Sequence, residues 1–376
     1  MVQAPADRLV IYDIDYSEFM ENRAFDAALM SQYPGAGAIA ALSARLAQSG
    51  VGMVTADAYL AGGTDSREAI VLSNEVTRFT RTLLFERGLR GAVCVSGESP
   101  IVAWRFYQGL PEFSSWFNHM VLFPGARAMA SGSAAFHDFS WPYSDLTPIE
   151  PDPWTERKLL AVVSGNKRAF GWPRPAFDLA HPKPSAGRWY RAWQARSAQC
   201  KNLWMQSELY LERLTAIRHF GGSDGFDLYG RGWDQPTSGA DRETQTAIGR
   251  SYRGEIPPHD KVRVLRGYQF SLCFENTAFP GYITEKIFDC FVAGNIPVYL
   301  GAPDIADYIP RDTYIDFRDF PDYSTLEEHL RSMTGEGAQQ HLAAARDFLA
   351  STRSARFSQE SCVEVLADLL LGCFER

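Results

Sequence analysis

Residues 268–320 read YQFSLCFENTAFPGYITEKIFDCFVAGNIPVYLGAPDIADYIPRDTYIDFRDF, and the order of elements in this stretch decides the fold. Phe270 to Phe274 is a short apolar run with the aromatic and Cys content of a buried strand, and it ends in the polar turn Glu275-Asn276-Thr277. Pro280 and Gly281 punctuate a loop. From Thr284 onward Ile287, Phe288, Phe291 and Val292 fit one face of a helix, with Gly294 as its C-cap, and Ile296 to Leu300 is the next strand. In the open sheets built from such strand, helix, strand units, ligands sit beyond the carboxyl ends of the strands, where helix N-termini point their free N–H groups. Glu275, Asn276, Tyr282, Glu285 and Lys286 all fall on that edge. A Lys in the first helical turn is opposed by the helix dipole, a cost that an anion relieves, and a phosphate is the expected one. Glu285 beside it is placed to accept hydrogen bonds from sugar or ribose hydroxyls. Together these residues describe a nucleotide-sugar pocket.

FSLCFENT followed by GYITEKIFDCFVAGNIPVYLG closely resembles the donor-binding motif of the α1,3/4-fucosyltransferases, glycosyltransferase family 10. The resemblance covers Tyr210 to Phe320 well and is thin before it. It implies an α/β protein of GT-B type, with two Rossmann-like domains facing a cleft and C-terminal helices. The expected boundaries are 1–153 for an acceptor-side domain, 154–345 for a donor domain carrying an insertion at 167–207, and 346–376 for helices that pack back on both.

Composition fits this class. Hydrophobic residues at 45% and charged residues at 22% suit a soluble globular enzyme, and 376 residues are enough for two domains. A net charge of −8 argues against a nucleic-acid partner, because phosphate backbones select for basic surfaces. Six dispersed Cys without zinc-ligand spacing, three of them inside apolar runs, read as reduced core thiols and favour a reducing cytoplasm; seven dispersed His give no metal cluster. The opening MVQAPADRLVIYD has no basic stretch ahead of an apolar one, and no run is long enough to span a bilayer. The resemblance therefore implies a bacterial, soluble form in the cytoplasm, at most peripheral at the inner membrane. The C-terminal pattern Val363, Val365, Leu366, Leu369, Leu370, Phe374 reads as a helix packed on its own protein, with a membrane contact as the alternative.

Earlier in the chain, Leu9 to Tyr12, Val51 to Thr55, Ala69 to Ser73, Ala92 to Val95 and His119 to Phe123 read as strands alternating with helices, the signature of a parallel sheet covered on both faces. Gly35-Ala36-Gly37-Ala38-Ile39-Ala40 matches a dinucleotide fingerprint but follows no strand, so it reads as the entry to an Ala-rich helix. Asp13-Ile14-Asp15 after the first strand has a bland reading, loop acids facing solvent. It also has two functional ones: the metal-binding D-x-D of another glycosyltransferase class, or the nucleophile loop of a haloacid-dehalogenase-like phosphatase completed by Asp304 and Asp307. Ser96-Gly97-Glu98-Ser99-Pro100 places a carboxylate at a strand's carboxyl end, where it either complements a helix dipole or stands exposed in a cleft. Trp104, Phe106, Tyr107, Trp116 and Phe117 read as core packing or as an acceptor-stacking wall. Pro148, Pro151 and Pro153 mark a linker, Lys158 to Ser164 opens the second domain, and 167–207 holds Trp172, Trp189, Trp193 and Trp204.

The resemblance then assigns roles. Glu98 matches the G-E motif whose Glu is the family's proposed base. Arg213 and Lys261 match cations of the donor domain. Ser164, Asn166, Glu275, Asn276, Tyr282, Glu285 and Lys286 complete the donor side. The expected reaction is inverting transfer of L-fucose from GDP-β-L-fucose to a hydroxyl of an oligosaccharide or other glycan acceptor, O3 of N-acetylglucosamine or glucose by family habit, in bacterial surface glycan, lipopolysaccharide or protein glycosylation. No metal or cofactor is expected, because Lys and Arg take the place of a divalent ion at the leaving diphosphate. The competing readings are a relative using another nucleotide sugar, the Asp13 phosphatase, which would need Mg²⁺, and a carbohydrate-binding protein without turnover.

Overall fold

The computed structural model describes residues 7–33, 35–62, 68–167, 208–237 and 240–375. The insertion read at 167–207, with its four Trp and Cys200, lies outside the described residues beyond Lys167. The chain divides into two compact units: Met1–Glu98, Arg105–Leu146 and Ser354–Arg376 form one, Ser99–Trp104 and Thr147–Arg353 the other. The first unit thus ends its first pass at Leu146, ahead of the proline linker, and the chain returns to it at Ser354.

In the first unit β1 (Arg8–Asp13), α1 (Gly37–Gln48), β2 (Val51–Thr55), β3 (Glu68–Asn74), β4 (Arg90–Val95), α2 (Trp104–Phe113), β5 (Phe117–Leu122) and β6 (Ala135–Asp138) build a six-stranded sheet in the order β2-β1-β3-β4-β5-β6. Every pairing is parallel. Strands covered on both faces need continuous apolar sequence, which is why Leu9, Val10 and Ile11, and Ala92, Val93 and Cys94, are all buried. The strand order reverses between β1 and β3.

In the second unit β7 (Lys158–Val163), α3 (Tyr210–Phe220), β8 (Phe226–Tyr229), α4 (Arg242–Ser251), α5 (Lys261–Leu265), β9 (Tyr268–Phe274), α6 (Glu285–Ala293), β10 (Ile296–Leu300) and β11 (Ile315–Asp316) form a five-stranded parallel sheet, β11-β10-β9-β7-β8. Its order reverses between β7 and β9. The sheet core of Leu160, Val162, Phe270, Leu272 and Val298 packs with Leu214, Ile217 and Phe220 of α3. Two helices follow, α7 (Tyr323–Ser332) and α8 (Gly335–Ala350), and their Leu326, Leu330 and Leu342 join the same cluster.

The last helix, α9 (Gln359–Phe374), belongs to the first unit. It packs on α1, burying Val363, Leu366, Ala367, Leu370, Cys373 and Phe374, and Glu364 pairs with Arg45 at 3.0 Å. Its apolar stripe is spent inside the protein; Val365 stands 41% exposed on the other side. No helix among the described residues is long and apolar enough to cross a membrane. All five described cysteines are free thiols.

Candidate functional site

The reversal point of the second sheet has two lips at the carboxyl edge, the turn after β7 and the turn after β9. On the first, the backbones of β7 and β8 are tied together beyond their last paired residues. Ser164 N donates to Tyr229 O at 3.0 Å, and Asn166 N donates to Arg231 O at 2.9 Å. The Asn166 amide donates to Gly232 O and to Thr237 Oγ1, and the Trp233 indole donates to Ser164 O at 2.6 Å. Gly230, at φ +132, makes this closure feasible: a Cβ there would sit 2.1 Å from Ser164 O. One polar atom is left over, since Ser164 Oγ is buried with no hydrogen-bond partner among the described residues.

The second lip is built around Glu275. Its carboxylate is fully buried and accepts from Thr284 N at 2.8 Å, from Thr284 Oγ1 at 2.9 and 3.0 Å, and from Lys286 Nζ at 2.9 Å. Thr284, the N-cap of α6, therefore turns its hydroxyl to Glu275 and not to its own helix. Lys286 also donates to Thr284 Oγ1 at 2.7 Å and lies 3.6 Å from Glu285. The dipole cost of a Lys in the first turn is met by a carboxylate of the protein itself. Burial works against the Lys286 charge, yet Glu275 and Glu285 hold the ammonium above its ordinary value.

Lys261, read as a solvated charge or a donor contact, is instead drawn under α6, where it pairs with Asp289 and lies 3.8 Å from Glu285. Burial would push the Glu285 carboxyl up; Lys286 and Lys261 override it and bring it down to about 2. Two ammoniums thus meet three carboxylates, and Glu285 is ionised at any ordinary pH. Arg213 is buried at 4% exposure, with its guanidinium donating to Phe274 O at 2.7 Å and Glu275 O at 3.3 Å. It braces the turn from below. The Asn276 amide donates to the Tyr282 hydroxyl at 3.1 Å, and both side chains are buried. The structure thus gathers Glu275, Asn276, Tyr282, Glu285, Lys286, Arg213 and Lys261 around one turn and helix start, with Ser164 and Asn166 on the neighbouring lip.

Arg231 was missed. It is exposed on the Gly230-Arg231-Gly232 loop, and no carboxylate among the described residues pairs with it. A cation flanked by glycines directly after a strand was the available signal. In the first unit Glu98 is partly exposed beyond β4; its N–H donates to Ser96 Oγ at 3.3 Å and its carbonyl accepts from the Tyr107 hydroxyl at 3.0 Å. The helix after it starts only at Trp104, so Glu98 is not the dipole-complementing carboxylate of a first turn. Glu75, directly after β3, was also missed, although the rule that singles out Glu98 applies to it equally.

Two readings are corrected. Asp13 is not a solvent-facing loop acid but fully buried, accepting from Ser73 Oγ at 2.7 Å, Thr80 Oγ1 at 2.5 Å and Thr77 Oγ1. Three hydroxyl donors occupy the carboxylate that a phosphatase would need as nucleophile. Asp304 and Asp307 belong to the other unit, and Asp304 accepts from Gly281 N. The aromatic wall is largely core, since Phe106, Tyr107 and Phe117 are buried at 4% or less. Only Trp104 and Trp116 keep partial exposure.

Residues 199–342 match the family described as glycosyltransferase family 10 (fucosyltransferase), C-terminal part. An alpha-(1,3)-fucosyltransferase of Helicobacter pylori is 37% identical over 73 residues, 19% of this chain and 15% of that protein. The chain thus matches less than a fifth of that relative's length. Over its whole length the fold is similar to sucrose-phosphate synthase from Thermosynechococcus elongatus (TM-score 0.60, 9% identity, 98% of this chain and 99% of the other). It is also similar to Anabaena HepE in complex with UDP and glucose (TM-score 0.57, 10% identity, 97% and 100%). The architecture is that of the GT-B glycosyltransferases, two Rossmann-like parallel-sheet units with helices at the C-terminus.

Proposed function

We propose, from the match of residues 199–342 to glycosyltransferase family 10, that the protein is an inverting fucosyltransferase using GDP-β-L-fucose. The observation that carries the reading is the reversal point between β7 and β9. There an ionised Glu285, a paired Lys286, an exposed Arg231 and an orphaned Ser164 hydroxyl flank the place where sheets of this kind receive nucleotides. Ser164 Oγ, buried and unsatisfied among the described residues, is a hydrogen-bonding group that a bound donor completes.

In the proposed step the acceptor oxygen bonds to C1 of fucose as the C1–O bond to the diphosphate breaks, and that electron pair leaves with GDP. The hydroxyl proton passes to the Glu98 carboxylate, a general base of the first unit. Attack opposite the leaving group converts the β-linked donor into an α-fucoside. Lys286, Arg231 and the N–H groups at the start of α6 stabilise the departing diphosphate without a metal ion. Glu285 holds sugar or ribose hydroxyls, while Arg213, Glu275, Asn276, Tyr282 and Lys261 keep the lip in shape. The acceptor hydroxyl is O3 of N-acetylglucosamine or glucose in a surface glycan, and the site of action is the cytoplasm or the inner face of its membrane.

The test is GDP release from GDP-fucose in EDTA, with and without N-acetyllactosamine, lactose and related glycans. Acceptor-dependent release that falls at least about a hundredfold in Glu98→Gln, with GDP binding retained, is the expected result. Failure to bind either GDP or GDP-fucose overturns the reading, and release only from another nucleotide sugar redirects it.

A further inference from the structure

The first sheet has a reversal point of its own, between β1 and β3, and Glu75 is the first residue beyond β3 at that edge. Its backbone is left-handed, at φ +65, one of three non-glycine residues so placed among the described residues. Gly or Asn suits such a position; Glu does not, and strain of this kind is retained where the side chain has a task. Two contacts hold it there. Glu75 N donates to Val95 O at 2.9 Å, and its carboxylate accepts from Ser96 Oγ at 2.9 Å. That same Ser96 Oγ accepts the Glu98 N–H at 3.3 Å. A single hydroxyl therefore joins the Glu75 carboxylate to the backbone of Glu98 across the adjacent strands β3 and β4.

We propose that Glu75 is a positioning residue for the transfer reaction: through Ser96 it holds the Glu98 turn, and its ionisation sets how strongly the Glu98 carboxylate attracts the acceptor's proton. The proposal rests on Glu98 being the base. Two carboxylates in one site divide their roles when their surroundings separate their proton affinities. Burial pushes the Glu75 carboxyl up to about 7, with the Ser96 hydroxyl opposing the rise and the Glu98 charge adding to it. The other titratable groups around it are Cys94 of β4, Tyr107 of α2 and Tyr16 after β1, all three held in their neutral forms by burial and by the Glu75 charge, with Asp13 beyond Cys94. Of these, Glu75 is the one joined through Ser96 to the Glu98 turn, and it changes charge near neutrality. Below that point it is neutral; above it, its negative charge strengthens Glu98 as a proton acceptor.

Two measurements on the full chain test this, using wild type, Glu75→Gln, Ser96→Ala and Glu98→Gln. In the first, urea unfolding is followed from about pH 4.5 to 8. The native state holds a proton on Glu75 that the unfolded chain has already released, so wild type loses stability relative to Glu75→Gln as pH rises through this range. In the Glu98→Gln background that loss ends at lower pH. A difference that is flat with pH, or indifferent to Glu98→Gln, overturns the proposal. In the second, GDP release from GDP-fucose with N-acetyllactosamine as the probe is measured against pH. Wild-type kcat shows an inflection near pH 7 that Glu75→Gln abolishes, lowering kcat above it by roughly tenfold while KM for GDP-fucose stays within about twofold. Ser96→Ala removes a donor that favours the ionised form, so it moves the inflection upward. An inflection surviving in Glu75→Gln overturns the proposal alone, whereas turnover surviving in Glu98→Gln overturns the base reading beneath it. If this probe is not turned over, the stability measurement decides.

Discussion

Glu275 shapes the turn after β9 from a fully buried position. It has no solvent exposure, and it compensates an ammonium that is itself only 14% exposed. A buried ion pair adds little compared with an apolar replacement, but removing one partner strands the other charge. Glu275→Gln is accordingly expected to lower the unfolding free energy by about 3–5 kcal/mol, and a second change, Lys286→Met, recovers part of that loss. Denaturant titrations of the two single variants and the double variant check it. Equal and additive losses would mean that the pair is not coupled. Lys286→Ala, in contrast, should weaken GDP binding tenfold or more, as read by calorimetry.

At the scale of elements, most of what the sequence promises is present, and the exceptions have a common cause. Gly294 was readable as a C-cap because a glycine after an apolar helical pattern is a local signal, and it does take φ +67 at the end of α6. Thr284 was readable as the helix start for the same reason. What could not be read is where long side chains go after the chain folds. Lys261 and Lys286 look alike in sequence, yet one is drawn to Asp289 and the other to Glu275. Arg213 sits on a helix face that turns inward, so a cation expected at a phosphate braces carbonyls instead. Asp13 looked like a loop acid because Ser73, Thr77 and Thr80, which bury it, lie at least 60 residues away. Gly230 is a further case: its need for glycine comes from Ser164, a residue far from it in sequence. Gly230→Ala combines a disfavoured backbone with a clash against Ser164 O, so it should cost more than the roughly 1 kcal/mol of an ordinary glycine replacement. It should also open the first lip, with loss of GDP affinity. A variant of unchanged stability and affinity would show that the two strand ends are not locked together.

For the whole molecule, the two units carry ionisable groups of opposite sign in their response to acid. In the second unit Glu285 is held at about 2, below the usual Glu value, and Lys158 and Arg253 outweigh burial to hold Asp227 low as well. The unfolded chain takes up these protons first, so this unit loses stability as pH falls from about 4.5 toward 2, with Glu285 alone contributing on the order of 3 kcal/mol. In the first unit burial raises Glu75 to about 7 and also raises Asp13. There the native state binds the protons more tightly, so acidification over the same range does not withdraw their contribution; for Glu75 it is a rise in pH through neutrality that does. Acid should therefore open the second unit before the first. Hydrogen exchange at about pH 3.5 should show α6 and β9 losing protection while β1, β3 and β4 retain it, and Glu285→Gln should reduce the difference. If the first sheet opens earlier, the ion pairs beneath α6 are not what holds the second unit together.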